Sequence, residues 1–335
     1  MIGAANGLPV SITGLGTHVP ERVVTNDDLA QLVDTSDEWI VTRTGIRERR
    51  FAADDEALSD ISLPAARAAL EQAGVSADEI DLLIVATVTP DMQFPSTAAI
   101  LADLLGADNA AAYDLAAGCT GFMYGITQAA GMIGAGLSRH ALVVGADVLS
   151  KVMNFADRST CVLFGDGAGA VVVEPAAQEG FLGFELGANG AGGKDLHLPA
   201  GGSRMPTTAE TVAGGAHYVH MNGREVFKFA TRVLVSSAEA VLAKCELSLD
   251  DVDVYVPHQA NVRIIDHALA KLGIPKEKTI VNVDRYGNTS SASIPLALAE
   301  AVDTGRVHQG DTILMTGMGA GLTWGSAVMR WTAPV

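Results

Sequence analysis

The sequence repeats itself at about half its length, and this property narrows the fold more than any other. Residues Ser76–Val85 (Ser-Ala-Asp-Glu-Ile-Asp-Leu-Leu-Ile-Val) align with Ser248–Pro257 (Ser-Leu-Asp-Asp-Val-Asp-Val-Tyr-Val-Pro) at an offset of 172. Ala141–Gly145 aligns with Ile313–Gly317 at the same offset. Tyr113–Thr120 aligns with Val283–Thr289 if one gap is allowed, and Gly165–Gly169 echoes Gly317–Gly321. That last offset is 152, so the first copy carries extra chain between its fourth and fifth strands. Chance matching among glycine- and valine-rich runs is the competing explanation, and four matches in one order disfavour it. A period near half the length marks two copies of one structural unit. The expected halves are residues 1–174 and 175–335.

Within each copy, strand-like runs alternate with helix-like runs, which predicts an α/β fold. Val10–Gly14, Leu82–Thr87, Ala111–Leu115, Ala141–Gly145 and Ala168–Val173 read as strands. They are apolar enough to be covered on both faces. Ser62–Gly74 and Gly121–Gly136 read as helices. Under the repeat, Cys119 and Asn288 occupy matching places, each after a strand and before a helix. His258 ends a third strand, Val252–Pro257. Ligands gather at the carboxyl ends of strands in open α/β sheets. A duplicated fold is expected to bring these three residues to one shared site.

Composition then removes several function classes. Lys and Arg number 22 against 39 Asp and Glu, a net charge of −17, which argues against a nucleic-acid partner. With 48% hydrophobic residues in 335, intrinsic disorder is excluded. Leu115–Ser138 carries no charge and is long enough to span a bilayer. Its six glycines and its Cys, Thr, Tyr and Gln side chains fit a buried core helix instead. No membrane association is expected. The first residues show neither a basic n-region nor an apolar h-region, so no signal peptide is read. Three cysteines, Cys119, Cys161 and Cys245, are too few and too scattered for a disulfide framework or a zinc site. That fits a reducing cytoplasm.

Three side chains carry candidate chemistry. Cys119 lies in Gly118-Cys-Thr-Gly121 at the expected start of a helix, where a thiol's pKa is lowered and its thiolate becomes a nucleophile. The alternative is a buried structural cysteine, and Cys161 and Cys245 read as such in their apolar surroundings. His258 at a strand end can act as base, acid or oxyanion donor, or be an ordinary satisfied histidine. Asn288, in Gly287-Asn-Thr-Ser290, is either a turn residue or an amide donor to a developing oxyanion. His217 and His220 lack a third ligand, so no metal is expected. Gly165–Ala170 satisfies a loose dinucleotide fingerprint, but a strand rather than a helix follows it, so that reading fails. Arg43, Arg47, Arg49, Arg50, Lys151, Arg158, Lys228 and Arg263 form either scattered solvated surface or a basic patch for an anionic ligand or acidic partner.

Taken together, Asp34–Arg49, the Cys119 elbow, Phe164–Gly169, Val256–Asn261, Tyr286–Ser290 and Gly321–Ser326 resemble the 3-oxoacyl-[acyl-carrier-protein] synthase III family. These are the initiating condensing enzymes of type II fatty-acid synthesis, acyltransferases of the thiolase superfamily. The likeness runs from Ile12 to Trp331. It implies a five-layered αβαβα thiolase-like fold in two duplicated halves, a homodimer, and no cofactor. It implies a decarboxylating condensation of a short acyl-CoA with malonyl-acyl carrier protein, giving 3-oxoacyl-carrier protein, CO2 and CoA. Catalysis would pass through an acyl-enzyme intermediate in a ping-pong sequence.

The resemblance also implies roles. Cys119 would hold the acyl group, with the backbone amides of Cys119 and Ala320 as oxyanion hole. His258 and Asn288 would stabilise the enolate left by decarboxylation. Trp39 and Arg158 would sandwich the CoA adenine, Arg43 would meet the pyrophosphate, and Asn261 the pantetheine arm. Gly223 would line the same arm, though its neighbour is Arg224 where the family often has asparagine. Gln259, Ala260, Asn261, Val262 and Arg263, with Lys228 and Lys271, would dock the acidic carrier protein. Phe94 would close the acyl pocket of the partner subunit. Neighbouring readings are a type III polyketide synthase or a secondary-metabolite ketosynthase III. A non-catalytic partner subunit is disfavoured because Cys119, His258 and Asn288 are all intact. A degradative thiolase would place a second cysteine within Gly317–Gly321, which has none.

Overall fold

The computed structural model describes residues 7–178 and 180–333. The leader reading above rests mainly on Met1–Asn6, which lie outside the described residues. Two sheets are built from strands Val10–His18 (β1), Leu82–Ala86 (β2), Ala111–Leu115 (β3), Ala141–Asp147 (β4), Gly167–Pro175 (β5), Phe181–Ala188 (β6), Val254–Pro257 (β7), Thr312–Gly319 (β8) and Thr323–Arg330 (β9). The first sheet runs β1-β5-β4-β2-β3 and the second β6-β9-β8-β7. In both, the first two contacts are antiparallel and the next is parallel. The strands of the repeat therefore superpose in order and in direction. The 19 or so residues between β4 and β5, against the short turn between β8 and β9, are the extra chain expected in the first copy.

One element differs from expectation. The alignment matches β3 with a segment beginning at Val283, but Val283–Tyr286 is a short helix. The chain that runs beside β7 is Thr279–Ile280, through a single parallel bridge from Tyr255 to Thr279. The Pro275 and Lys-rich turn before it leave too little extended chain for a full strand.

Five principal helices complete the layers: Leu58–Ala73 (α1), Gly121–Gly134 (α2), Gly223–Lys244 (α3), Val262–Leu272 (α4) and Ser293–Asp303 (α5). α1 covers the outer face of the first sheet, α2 and α5 lie between the sheets, and α3 and α4 cover the second. This is the αβαβα order. The charge-free Leu115–Ser138 stretch supplies α2, whose Phe122, Met123, Ile126, Ala129 and Ala130 are buried in the central core. Each large apolar side chain buried there contributes roughly 1.5–3 kcal/mol. Among the described residues, no helix is long and apolar enough to cross a membrane.

Glycines set the close approaches. A Cβ at Gly16 of β1 would meet Ala65 O at 2.1 Å, so α1 packs backbone to backbone on the sheet through alanines. A Cβ at Gly145 of β4 would meet Ser291 O at 2.3 Å. The second half's Asn288–Ser291 turn is thus pressed against the middle of the first half's sheet.

Candidate active site

The nucleophile elbow follows β3. Gly118 adopts φ +58, and a Cβ there would meet Ala320 N at 2.6 Å, so only glycine fits. Gly121 N donates to Gly118 O at 2.9 Å and closes the turn into α2. Thr323 Oγ1, at the start of β9, donates to Ala117 O at 2.8 Å and lies 2.6 Å from Thr120 Oγ1. A Cβ at Gly319 would meet Cys119 N at 2.3 Å. The elbow of one half is therefore held by the β8–β9 turn of the other.

Cys119 is 8% exposed. Burial pushes its thiol up to about 11, helped by the nearby Asp147 carboxylate. The nearby Ser290 hydroxyl and the backbone amides of Cys119 and Ala320 pull the other way without prevailing. This corrects the expectation of a thiol lowered by its helix N-terminus. The placement is as expected, but desolvation of the thiolate outweighs the helix end. The resting group is a neutral thiol.

His258 follows β7 and is 1% exposed. Its backbone N donates to Thr316 O at 2.8 Å, and its Nδ1 lies 2.5 Å from Ser293 Oγ. That leaves Nε2 buried and without a partner. Burial lowers its pKa to about 3, so the ring is neutral at physiological pH. Asn288 is 6% exposed. Its backbone N donates to Leu163 O at 2.8 Å, and its carbonyl accepts from Gly165 N at 3.0 Å. Its Oδ1 accepts from Ser290 N at 2.9 Å. The outward-facing group is therefore the Nδ2 amide, a donor. Ser290 itself adopts φ +51, which costs a non-glycine residue about 1–2 kcal/mol.

These three side chains line one cavity of about 310 Å³, together with Trp39, Arg43, Phe227, Asn261 and Gly223. Trp39 and Arg43 also border an outer depression of about 510 Å³ that reaches Arg263. Cys119 also borders an inner, mainly apolar cavity of about 150 Å³, lined by Val88, Leu149, Val152, Phe164 and Leu198. The shared residues order these spaces as surface, tunnel, sulfur, inner chamber. Trp39 sits in the helix Asp37–Thr44, capped by Ser36 at 3.1 Å. The Arg43 and Arg158 guanidiniums each lie 4.7 Å from its ring centroid. Asn261 Nδ2 donates to Arg43 O at 3.1 Å, and its Oδ1 caps α4 through Arg263 N at 2.8 Å. One N–H and one lone pair of that amide remain for a ligand.

Lys228, Arg263 and Lys271 are exposed on α3 and α4, which pack side by side. Gln259 is not with them. It is 1% exposed, with Nε2 donating to Pro257 O and Ile280 O and Oε1 accepting from Asn282 N. Its amide fastens the chain beside β7 and has no reach to a partner. Ala260 is likewise buried and lines the tunnel, and Val262 packs beneath Gly45. Arg49 also leaves the surface patch. Fully buried, it donates to Val24 O, Asn26 Oδ1 and Val162 O, and burial lowers its pKa to about 10. Phe94 is 84% exposed and lines neither cavity of its own chain. Among the described residues, no group of three or more His, Cys, Asp or Glu side chains gathers to hold a metal ion.

Two residues near the sulfur escaped the sequence reading: Asp147 and Ser290. Asp147 had a legible signal, a lone charge ending an otherwise apolar strand. Ser290 had none beyond its place next to a turn.

A duplicated αβαβα fold with a thiol, an imidazole and an amide converging at strand ends defines a condensing enzyme of the thiolase fold. The family model for 3-oxoacyl-[acyl-carrier-protein (ACP)] synthase III matches residues 113–190, and the model for its C terminal matches residues 242–331. The chain is 59% identical over 324 residues to a beta-ketoacyl-[acyl-carrier-protein] synthase III of Symbiobacterium thermophilum, covering 96% of this chain and 98% of that protein. The chain belongs to the 3-oxoacyl-[acyl-carrier-protein] synthase III family. The crystal structure of the 3-oxoacyl-[acyl-carrier-protein] synthase III of Aquifex aeolicus matches with a TM-score of 0.90 at 45% identity, covering 96% and 100% of the two chains. The priming beta-ketosynthase of the R1128 polyketide pathway matches with a TM-score of 0.91 at 38% identity, covering 98% of each.

Proposed function

We propose that this chain joins a short acyl group from acyl-CoA to malonyl-acyl carrier protein, releasing CO2 and CoA and giving 3-oxoacyl-carrier protein. One observation carries the reading. A thiol, an unpartnered imidazole nitrogen and an outward amide line one cavity whose mouth holds a tryptophan between two arginines.

The thioester enters with its adenine end at Trp39 and Arg158, where stacking and cation–π contact favour a planar base. Arg43 meets the pyrophosphate, and the pantetheine arm passes Asn261 and Gly223. Cys119 attacks the thioester carbon. The backbone amides of Cys119 and Ala320 receive the oxyanion. The acyl chain lies in the inner chamber, whose volume of about 150 Å³ suits a short primer. After CoA leaves, the malonyl thioester takes its place, and loss of CO2 leaves an enolate oxygen. His258 Nε2–H and Asn288 Nδ2–H donate to it, and its carbon attacks the acyl-cysteine. A neutral His258 suits this role because it donates a proton in a hydrogen bond without needing to gain one.

The same proposal covers the assembly. Lys228, Arg263 and Lys271 form the docking face for an acidic carrier protein. β3 pairs on one side only, with β2, and offers a free edge. Two copies join there as a homodimer, and Phe94 of each covers the chamber of the other. The working halves are residues 1–174 and 175–335, in the cytoplasm, with no cofactor.

The test is direct. Incubated with acetyl-CoA and digested, the protein should carry one acetyl group on the Cys119 peptide. Cys119→Ser should lose both that label and condensation, by about 10⁴-fold or more. Near-normal condensation by Cys119→Ser would overturn the assignment.

A further inference from the structure

Of the buried polar atoms around the two site cavities, two have no partner among the described residues: Ser290 Oγ and His258 Nε2. The imidazole nitrogen is the one with an assigned task, and that task depends on where the ring keeps its proton. A neutral imidazole carries one N–H, and its other nitrogen can only accept. His258 is neutral at physiological pH. Its Nε2 therefore offers the enolate oxygen either a hydrogen or a lone pair, and a lone pair would repel the charge that decarboxylation leaves. The bond made by Nδ1 decides between the two.

Nδ1 lies 2.5 Å from Ser293 Oγ. Ser293 is the first residue of α5 and is 1% exposed. Its backbone N donates to Ser290 O, and its hydroxyl oxygen accepts from Gln259 N at 3.4 Å. The side-chain amide of Gln259 is tied to Pro257 O, Ile280 O and Asn282 N, so this donor is fixed in place. A hydroxyl has one hydrogen to give and two lone pairs to offer. Among the described residues, no carbonyl or carboxylate accepts from Ser293 Oγ, which leaves the ring nitrogen as its one acceptor. With the proton on Nδ1, the oxygen would face two donors and its own hydrogen would be buried without a partner. With Nδ1 bare, the hydroxyl gives its hydrogen to the ring and receives Gln259 N, and every group is satisfied.

The seat is also rigid. A Cβ at Gly169 of β5 would meet Pro295 Cβ at 2.7 Å, so the first turn of α5 is pressed onto the first sheet. The His258 backbone N donates to Thr316 O at 2.8 Å. The ring is thus held at its base and at Nδ1, and Nε2 is left for the cavity. The positive end of α5, beside Nδ1, further opposes an imidazolium.

We propose that Ser293 donates a hydrogen bond to His258 Nδ1 and so locks the ring in the Nε2–H tautomer, the form that can donate to the enolate oxygen. Ser293 lines neither cavity and is a positioning residue, acting only through the imidazole. This rests on the reading of His258 as enolate donor above. As CO2 leaves, the electron pair of the broken carbon–carboxyl bond moves into the enolate. Its oxygen takes the hydrogen bond from Nε2–H. The Ser293 O–H and the His258 Nε2–H bonds both stay intact, and no proton changes place.

The experiment combines nitrogen NMR of protein carrying 15N-histidine with timing of the two half-reactions. His258→Gln identifies the His258 signals among those of the eight histidines. In wild type at neutral pH, Nδ1 should be unprotonated and Nε2 protonated. In Ser293→Ala that single form should give way to a mixture of tautomers. Malonyl decarboxylation by the acetylated variant should fall about 10–10²-fold in kcat, with little change in KM for malonyl-carrier protein and a smaller loss in acetylation of Cys119. A proton on Nδ1 in wild type overturns the proposal, and that measurement needs no variant to fold. A folded Ser293→Ala with the wild-type spectrum and rate overturns it as well. Wild-type decarboxylation by His258→Ala would instead overturn the donor reading beneath it, while the wild-type spectrum still decides which tautomer Ser293 holds.

Discussion

At the repeat offset of 172, Ala86 is the counterpart of His258, and Gly319 is the counterpart of Asp147. Each half thus carries a buried polar group at a strand end where the other half carries almost nothing. Gly319 has no room for more, since a Cβ there would meet Cys119 N at 2.3 Å. Ala86 likewise lies against the start of α2, 3.0 Å from where a Gly121 Cβ would stand. One scaffold therefore serves two jobs by subtraction. The first half keeps a thiol with a carboxylate behind it, and the second keeps two hydrogen-bond donors. The small residues of each make space for the functional residues of the other.

If that division holds, removing the donors should injure one half-reaction more than the other. His258→Ala and Asn288→Ala should each cut malonyl decarboxylation by about 10²–10³-fold, with a smaller loss in acetylation of Cys119. Timing the two half-reactions separately decides it, and equal losses would break the comparison.

A second contrast is in pH response. Asp166, buried just before β5, accepts from Ala52 N at 2.8 Å and Ser150 N at 2.9 Å, yet burial pushes its pKa up to about 6. The folded state then holds its proton more tightly than the unfolded chain. This group costs stability as pH rises from about 4 to 6, and Asp166→Asn should remove that part of the pH dependence. His258 is depressed, so it acts in the opposite sense. Stability falls as pH drops from about 6.5 towards 3, because the unfolded chain takes the proton first. Denaturant titrations of wild type, Asp166→Asn and His258→Gln over that range should separate the two slopes. Parallel slopes in all three proteins would remove the contrast.

The smallest effects belong to the surface. Trp39→Ala removes a stacking platform of about 1–2 kcal/mol and should raise the acetyl-CoA KM roughly tenfold while sparing the carrier protein. Arg263→Glu should do the reverse, and more weakly as salt rises, since exposed charges are screened beyond about 8–10 Å. Unchanged carrier-protein kinetics in Arg263→Glu would move the docking face elsewhere.

The topology was legible because unbroken apolar runs at matching spacings leave little choice for a buried sheet. Cys119 and His258 were legible because each follows such a run, and Asn288 because of its Gly-Asn-Thr-Ser turn, although the strand expected before it is the short helix Val283–Tyr286. Gln259 and Arg49 were misplaced for one shared reason. Their charge or amide marks them as surface residues, and only the folded chain shows the carbonyls of Pro257, Ile280, Val24 and Val162 that satisfy them inside. The thiol's pKa was misjudged because a helix end is local, whereas burial depends on the second half closing over the elbow. Ser290 was missed because a left-handed backbone and an unpartnered hydroxyl leave no trace in residue type.

The raised pKa of Cys119 has a consequence beyond turnover. Peroxides and other oxidants attack thiolates, and the path from thiolate through sulfenic to sulfinic acid ends in permanent loss. A sulfur held near 11 is almost wholly protonated at neutral pH. An idle molecule, waiting for primer, therefore presents little for an oxidant to consume, and its nucleophile is spent mainly on the thioester that enters beside it.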